Sequence, residues 1–193
     1  MDSDENMNIP RRSVLCLVPL SPPITGASNA SESVIKHLAR NNVVKVIGYQ
    51  RGTLISGRFS IRQLLKTFYI SFKILIESKY DAYYLVISST SWGNLRDLLF
   101  MFSLGSKARK RLTVHLHGAN WDSMIKNSSS FRKWLNHMMY RDVYSAIILG
   151  KTFKSMFKAY IPKYRVKIVQ NYYDDDLLIS KGAFIRKWRN TNK

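Results

Sequence analysis

The sequence lacks most of what could hold a chain together without a hydrophobic core. Its 193 residues include one cysteine, Cys16. A lone thiol closes no internal disulfide and builds no zinc site, so nothing here demands an oxidising compartment. Glycine and proline are scarce, at 9 and 5 residues, which excludes a collagen-like or low-complexity chain. Long apolar runs are missing too. The main ones, Val14 to Leu20, Ala82 to Ile87 and Leu98 to Phe102, fall far short of the roughly 20 residues of a bilayer span. Arg11 and Arg12 ahead of the first run imitate a signal peptide, but that run holds Pro19 and meets Pro22-Pro23 before any small-residue cleavage site. A buried strand is expected there instead. Acidic residues are few, 12 against 31 Lys and Arg, for a net charge of +19. Such an excess attracts polyanions, whether nucleic acid, anionic lipid or a phosphorylated substrate, without choosing among them.

What is present is rhythm. Hydrophobic residues make up 46% of the chain, and its length suits one sizeable domain or at most two small ones. Residues Met1 to Arg12 are polar and aperiodic, and are expected to form a tail. Short apolar runs follow at Ser13–Pro19, Val43–Ile47, Ala82–Ile87, Leu112–Leu116, Ser145–Leu149 and Val166–Val169. Between them lie helical patterns: Val34 to Ala39, Ile61 to Ile76, Arg96 to Leu104, Phe131 to Tyr140 and Phe153 to Tyr160. Apolar runs alternating with amphipathic helices are the mark of βαβ units. The expected fold is therefore α/β, a Rossmann-like doubly wound parallel sheet of about six strands over residues 13–179, with 180–193 as a basic tail or linker.

Ligands of such a fold collect at the carboxyl ends of the strands. After the first strand comes Pro22-Pro23-Ile24-Thr25-Gly26-Ala27-Ser28, then a helix. A glycine there admits close approach of a ligand, and the helix N-terminus offers free N–H groups to a phosphate. It is neither GxGxxG nor a Walker loop. The alternative is a connecting loop capped by Ser28 or Ser31. Ser88-Ser89-Thr90-Ser91 after the third strand reads first as a helix cap, with hydroxyls for a substrate as the functional alternative. After the fourth strand, His115 and His117 share one face, with Gly118 opening the turn. With His37 and His137 the only other histidines, a metal site is not expected. A histidine here serves as hydrogen-bond donor or acid/base, or simply as structure. Asp174-Asp175-Asp176 reads as a helix cap or as a divalent-ion site bridging a diphosphate.

The helical stripe at 61–76 is broad enough for a core face, and Arg58, Arg62, Lys66 and Lys73 would form its solvated back. The other reading rests it on an anionic membrane surface.

In order, "LVPLSPPITGAS", "YYLVISSTSWGNLRDLLF", "VHLHGANW", "AIILGKTFKSMFKAYIP" and "KIVQNYYDD" resemble the N-terminal half of a retaining glycosyltransferase of family 4. The likeness covers roughly Ser13 to Leu178 and implies a GT-B fold, two facing Rossmann-like domains with the active site between them. It implies that the loop of Thr25, Gly26 and Ser28 lies near the donor phosphate and the acceptor. It also implies that His117 contacts the donor sugar near the reacting centre, as the catalytic residue, and that Ser89, Gly118 and Asn171 line the donor or acceptor site. Arg96-Asp97 matches a pair of structural role. Gln170 and Tyr172-Tyr173 depart from the usual Pro-Asn-Gly-Val-Asp, while Asn171 is kept. The family's second domain carries two glutamates eight positions apart, whereas this sequence has only Glu5, Glu32 and Glu77.

The resemblance thus implies the acceptor-side domain of an enzyme that moves a sugar from a nucleotide-sugar to a polysaccharide or lipid-linked acceptor. It would need no cofactor and no metal. It would be incomplete without a C-terminal donor-binding domain, as a split subunit or truncated product. Such a protein is expected in the cytoplasm, peripheral at the inner face of the membrane. The alternative is a non-catalytic module docking to a full-length transferase. No helix-turn-helix, zinc-finger or RRM-type motif is present, so no specific nucleic-acid partner is expected.

Overall fold

A computed structural model describes residues 10–49, 61–77 and 79–169. Six strands, β1 (Arg12–Pro19), β2 (Asn42–Tyr49), β3 (Ala82–Ile87), β4 (Leu112–Leu116), β5 (Ser145–Ile148) and β6 (Val166–Ile168), pair in one sheet of order β2-β1-β3-β4-β5-β6. Every pairing is parallel. Five helices connect them: α1 (Gly26–Ala39), α2 (Ile61–Ile76), α3 (Ser91–Arg109), α4 (Trp121–Lys126) and α5 (Ser130–Tyr140), with 3-10 turns at Lys151–Phe157 and Lys163–Arg165. The expected Rossmann-like α/β sheet is the observed one. Strand order reverses between β1 and β3, which puts a crevice outside their carboxyl ends.

Alternation along the strands builds two layers. Leu15, Leu17, Tyr83, Leu85, Leu112, Val114, Ala146 and Ile148 face one way, into the core shared with α3, α5 and the turn at Phe157. Val14, Cys16, Val18, Tyr84 and Val86 face the other way, where Val34, Ile35 and Leu38 of α1 cover them. Leu15 and Leu17 are wholly buried, and each such side chain contributes about 1.5–3 kcal/mol by leaving water. Cys16 is sealed in the sheet, and burial pushes its thiol up to about 12, so it is inert at neutral pH.

The structure corrects the expected role of the 61–76 stripe. Its apolar residues face solvent, and the side of α2 turned to the body carries Thr67, Ile70, Ser71 and Ile74, of which Ser71 and Ile74 are buried. Periodicity reveals an apolar arc but not what covers it, and small residues beside Ile74 let the opposite side pack against α3. Arg58, on the expected back, lies outside the described residues.

Other boundaries shifted less. Helix α3 starts at Ser91, five residues before the expected Arg96, because Thr90 caps it by accepting from Gly93 N–H at 3.2 Å. The expected end at Leu104 marks a kink, where Gly105 takes φ 72° and the chain turns before a last stretch to Arg109. The helix expected at Phe153–Tyr160 is instead a 3-10 segment, Lys151–Phe157, whose Phe157 is buried against Trp121. Of the expected terminal segments, residues 1–9 and 170–193 lie outside the described residues, and β1 begins at Arg12 rather than Ser13.

Candidate functional site

The loop after β1 leads into α1 through a reciprocal cap. Thr25 accepts from Ser28 N–H at 3.1 Å, and Ser28 accepts from Thr25 N–H at 2.8 Å. The cap is thus Thr25, not Ser28 or Ser31. Ser28 is buried and donates to the Thr25 carbonyl at 2.9 Å, and Ser31 donates to the Ala27 carbonyl at 2.6 Å. Capping therefore occupies the Ser28 hydroxyl, one of the expected ligand groups. Gly26 stands differently. It is exposed at the first turn, a Cβ on it would meet nothing within 4 Å, and its N–H has no intrahelical partner.

The loop after β3 is held from beneath. Asp97, fully buried, accepts Ser88 N–H at 2.6 Å on one oxygen and Arg96 at 2.6 Å on the other. The Arg96 guanidinium lies 4.0 Å over the Tyr49 ring, and the Tyr49 hydroxyl donates to the Val86 carbonyl. Burial works against charge on Arg96, but the Asp97 carboxylate, together with the Tyr49 and Tyr140 phenols, outweighs it and raises its pKa. The structural role implied for Arg96-Asp97 matches this geometry, which braces the ends of β2 and β3 across β1.

Ser89, next in that loop, is half-buried against the turn after β4. A Cβ at Gly118 would sit 2.2 Å from Ser89 Oγ and 2.7 Å from Ser89 Cβ. Glycine is required at 118 by space, not by a positive φ, since Gly105 alone has one among the described residues. The structure thus brings together Ser89 and Gly118, with His117 adjoining, while Thr25, Gly26 and Ser28 sit at the head of α1 on the same carboxyl edge. Asn171 lies outside the described residues, as do Asp174, Asp175 and Asp176.

The His115 and His117 rings lie with centroids 4.0 Å apart, tilted by 39°. They are not equivalent. His115 is buried, and its Nδ1 meets the Tyr84 hydroxyl at 2.5 Å. Burial, helped by the neighbouring His117, holds its pKa down to about 3, while burial pushes the Tyr84 phenol up. Tyr84 therefore keeps its proton, and His115 is a neutral ring at physiological pH. His115 is thus a poor acid or base there, and His117 beside it is half-buried. Sequence reasoning missed Tyr84. The signal was only that Tyr84 pairs with Cys16 and Thr113 and so shares a face of the sheet with His115, which needs the strand register to be read.

A groove of about 1630 Å³ runs from this edge, lined there by Pro22, Pro23 and Ser89, out between α2 and α3 past Trp92 and Phe102. Among the described residues no three of His, Cys, Asp and Glu gather as a metal site.

Beyond the edge, Trp121 of α4 is buried between Phe157, 4.7 Å away and stacked, and the rings of Tyr140 and Tyr160. Asn94 and Asn136, both buried, exchange side-chain hydrogen bonds of 2.8 and 3.2 Å between α3 and α5. These contacts hold the loop that carries Gly118 and the helix that follows Ser89. In comparisons with known proteins, no protein-family model matches the chain and no curated protein matches it.

Proposed function

We propose that this chain is the acceptor-side domain of a sugar transferase, one wall of a cleft that a nucleotide-sugar-binding domain completes. The observation that carries the reading is the assembly at the carboxyl edge. Ser89 lines the inner end of the groove and packs so closely against Gly118 that a Cβ at 118 would clash with it, with His117 adjoining in sequence. On this reading His117 orients or protonates at the reacting centre, and the exposed head of α1 at Gly26 faces a phosphate. The acceptor is a glycan or a lipid-linked diphosphate, in keeping with the +19 charge.

Joint positioning of two substrates contributes on the order of 7–11 kcal/mol to such a reaction, and only when both are held. The 193-residue chain alone is therefore expected to transfer no sugar from UDP-glucose, UDP-N-acetylglucosamine or GDP-mannose to a prenyl diphosphate-linked sugar. With a donor-binding domain bearing the paired glutamates supplied in trans, transfer appears, and His117→Ala removes it while leaving the fold intact by circular dichroism. Turnover by the chain alone, or transfer indifferent to His117, contradicts the proposal. The non-catalytic alternative predicts instead a stable complex with a complete transferase whose rate does not change with His117→Ala.

A further inference from the structure

Helix α2 exposes eight large apolar or aromatic side chains, Ile61, Leu64, Leu65, Phe68, Tyr69, Phe72, Leu75 and Ile76, from 37% at Leu64 to 69% at Ile61. At 100° per residue they span an arc of about 140° on the side away from the sheet. Such a patch, on the order of several hundred Å², is larger than a helix facing water ordinarily carries. Arg62, Lys66 and Lys73 fall together within about 40° along one border of that arc. Glu77, one turn beyond Lys73, is engaged by Lys45 at 3.1 Å and by the Tyr80 hydroxyl at 2.7 Å. Phe102 and Trp92 of the neighbouring α3 extend the apolar surface.

We propose that α2 is a membrane-docking element. It lies in the plane of an anionic bilayer, its apolar arc at the acyl boundary and Arg62, Lys66 and Lys73 against lipid phosphates. Charge selects this occupant. A second copy would bring another +19 chain against the same face, and its cations would meet cations. An anionic lipid surface satisfies the apolar arc and its basic border at once. Among the described residues no helix is long and apolar enough to cross a membrane, so the contact is lateral. This face shares the groove between α2 and α3 with the transferase proposal, and the two are tested separately because vesicle binding needs no sugar transfer.

The test is flotation with vesicles of phosphatidylcholine, alone or mixed with phosphatidylglycerol. The wild-type chain is expected to float with the anionic vesicles. Arg62→Gln, Lys66→Gln and Lys73→Gln together should cut partitioning roughly 10- to 100-fold. Leu65→Glu with Phe72→Glu should abolish it, and both sets should fold normally because the altered side chains are exposed. A matched control, Lys151→Gln with Lys158→Gln and Lys163→Gln at the β5–β6 edge, should keep most of the binding. A polarity-sensitive dye on Leu65→Cys should shift to the blue on anionic vesicles, with the buried Cys16 unlabelled. Equal loss in the control would mean diffuse electrostatics and would overturn the proposal. So would wild-type binding by Leu65→Glu/Phe72→Glu, or an α2-dependent dimer that ignores vesicles.

Discussion

Replacing Gly118 with alanine tests how the carboxyl edge is built. The added methyl would stand 2.2 Å from Ser89 Oγ and 2.7 Å from Ser89 Cβ, with Ser89 Cα at 4.0 Å. Rotating the serine hydroxyl away relieves the first contact at little cost. The second cannot be relieved by rotation. Two carbons need about 3.5–4 Å, so one of the two loops must give by about 1 Å. Overpacking of that kind costs roughly 1–3 kcal/mol. Ser89→Gly removes both offending atoms and leaves only the ordinary contact with Cα, at the price of about 0.5–1 kcal/mol in backbone freedom. The double variant should then be more stable than the two single losses predict, by about 1–2 kcal/mol, a coupling well above the additivity error. Urea unfolding followed by tryptophan fluorescence measures all four corners of the cycle. In heat, each kcal/mol corresponds to roughly 2–4 °C for a chain of this size. If Gly118→Ala costs the same with Ser89 or Gly at position 89, the two loops do not touch as described, and the argument for the site's geometry fails with it.

Two further outcomes concern charge. Asp97→Ala leaves the Arg96 guanidinium buried without its carboxylate and Ser88 N–H without an acceptor, and should cost about 3–5 kcal/mol in urea unfolding; a loss under 1 kcal/mol would show that the brace does not bear on stability. His115 titrates near pH 3 folded against about 6.5 unfolded, so between those values the unfolded chain binds the extra proton. Stability must therefore be full above pH 6.5 and fall as pH drops toward 3, by up to about 1.4 kcal/mol per pH unit from this group. Unfolding at pH 7.0 and 5.5 should show a slope that His115→Asn flattens; equal slopes in both proteins refute the assignment.

How far the fold was legible depended on what each segment had to bury. Ala82–Ile87 needs no partner to be read as a strand, because burial on both faces leaves an unbroken apolar run. The expected helix end at Leu104 falls where α3 bends at Gly105, although the helix then resumes to Arg109. Helix α4 escaped notice because six residues are too few for a period to emerge, and its anchor, Trp121, is held by rings from α5 and the 3-10 turn some 20 to 40 positions away. The stripe on α2 was visible but its direction was not. At the site, Gly118 and the two histidines stood out by position after a strand. The contact that makes Gly118 obligatory involves Ser89, on another loop, and the partner that holds His115 is Tyr84, on another strand. Both are properties of register, which no single segment contains.

The brace running from Ser88 through Asp97 and Arg96 to Tyr49 and Val86 has a mechanical consequence. It clamps two strand tips and a helix start into one unit, so the β3 loop has little freedom to fold down over a bound molecule by itself. Shielding from water, where it occurs, has to be brought by whatever arrives opposite, while this edge acts as the anvil. Slow amide exchange at Ser88 in the isolated chain would be the visible trace of that stiffness.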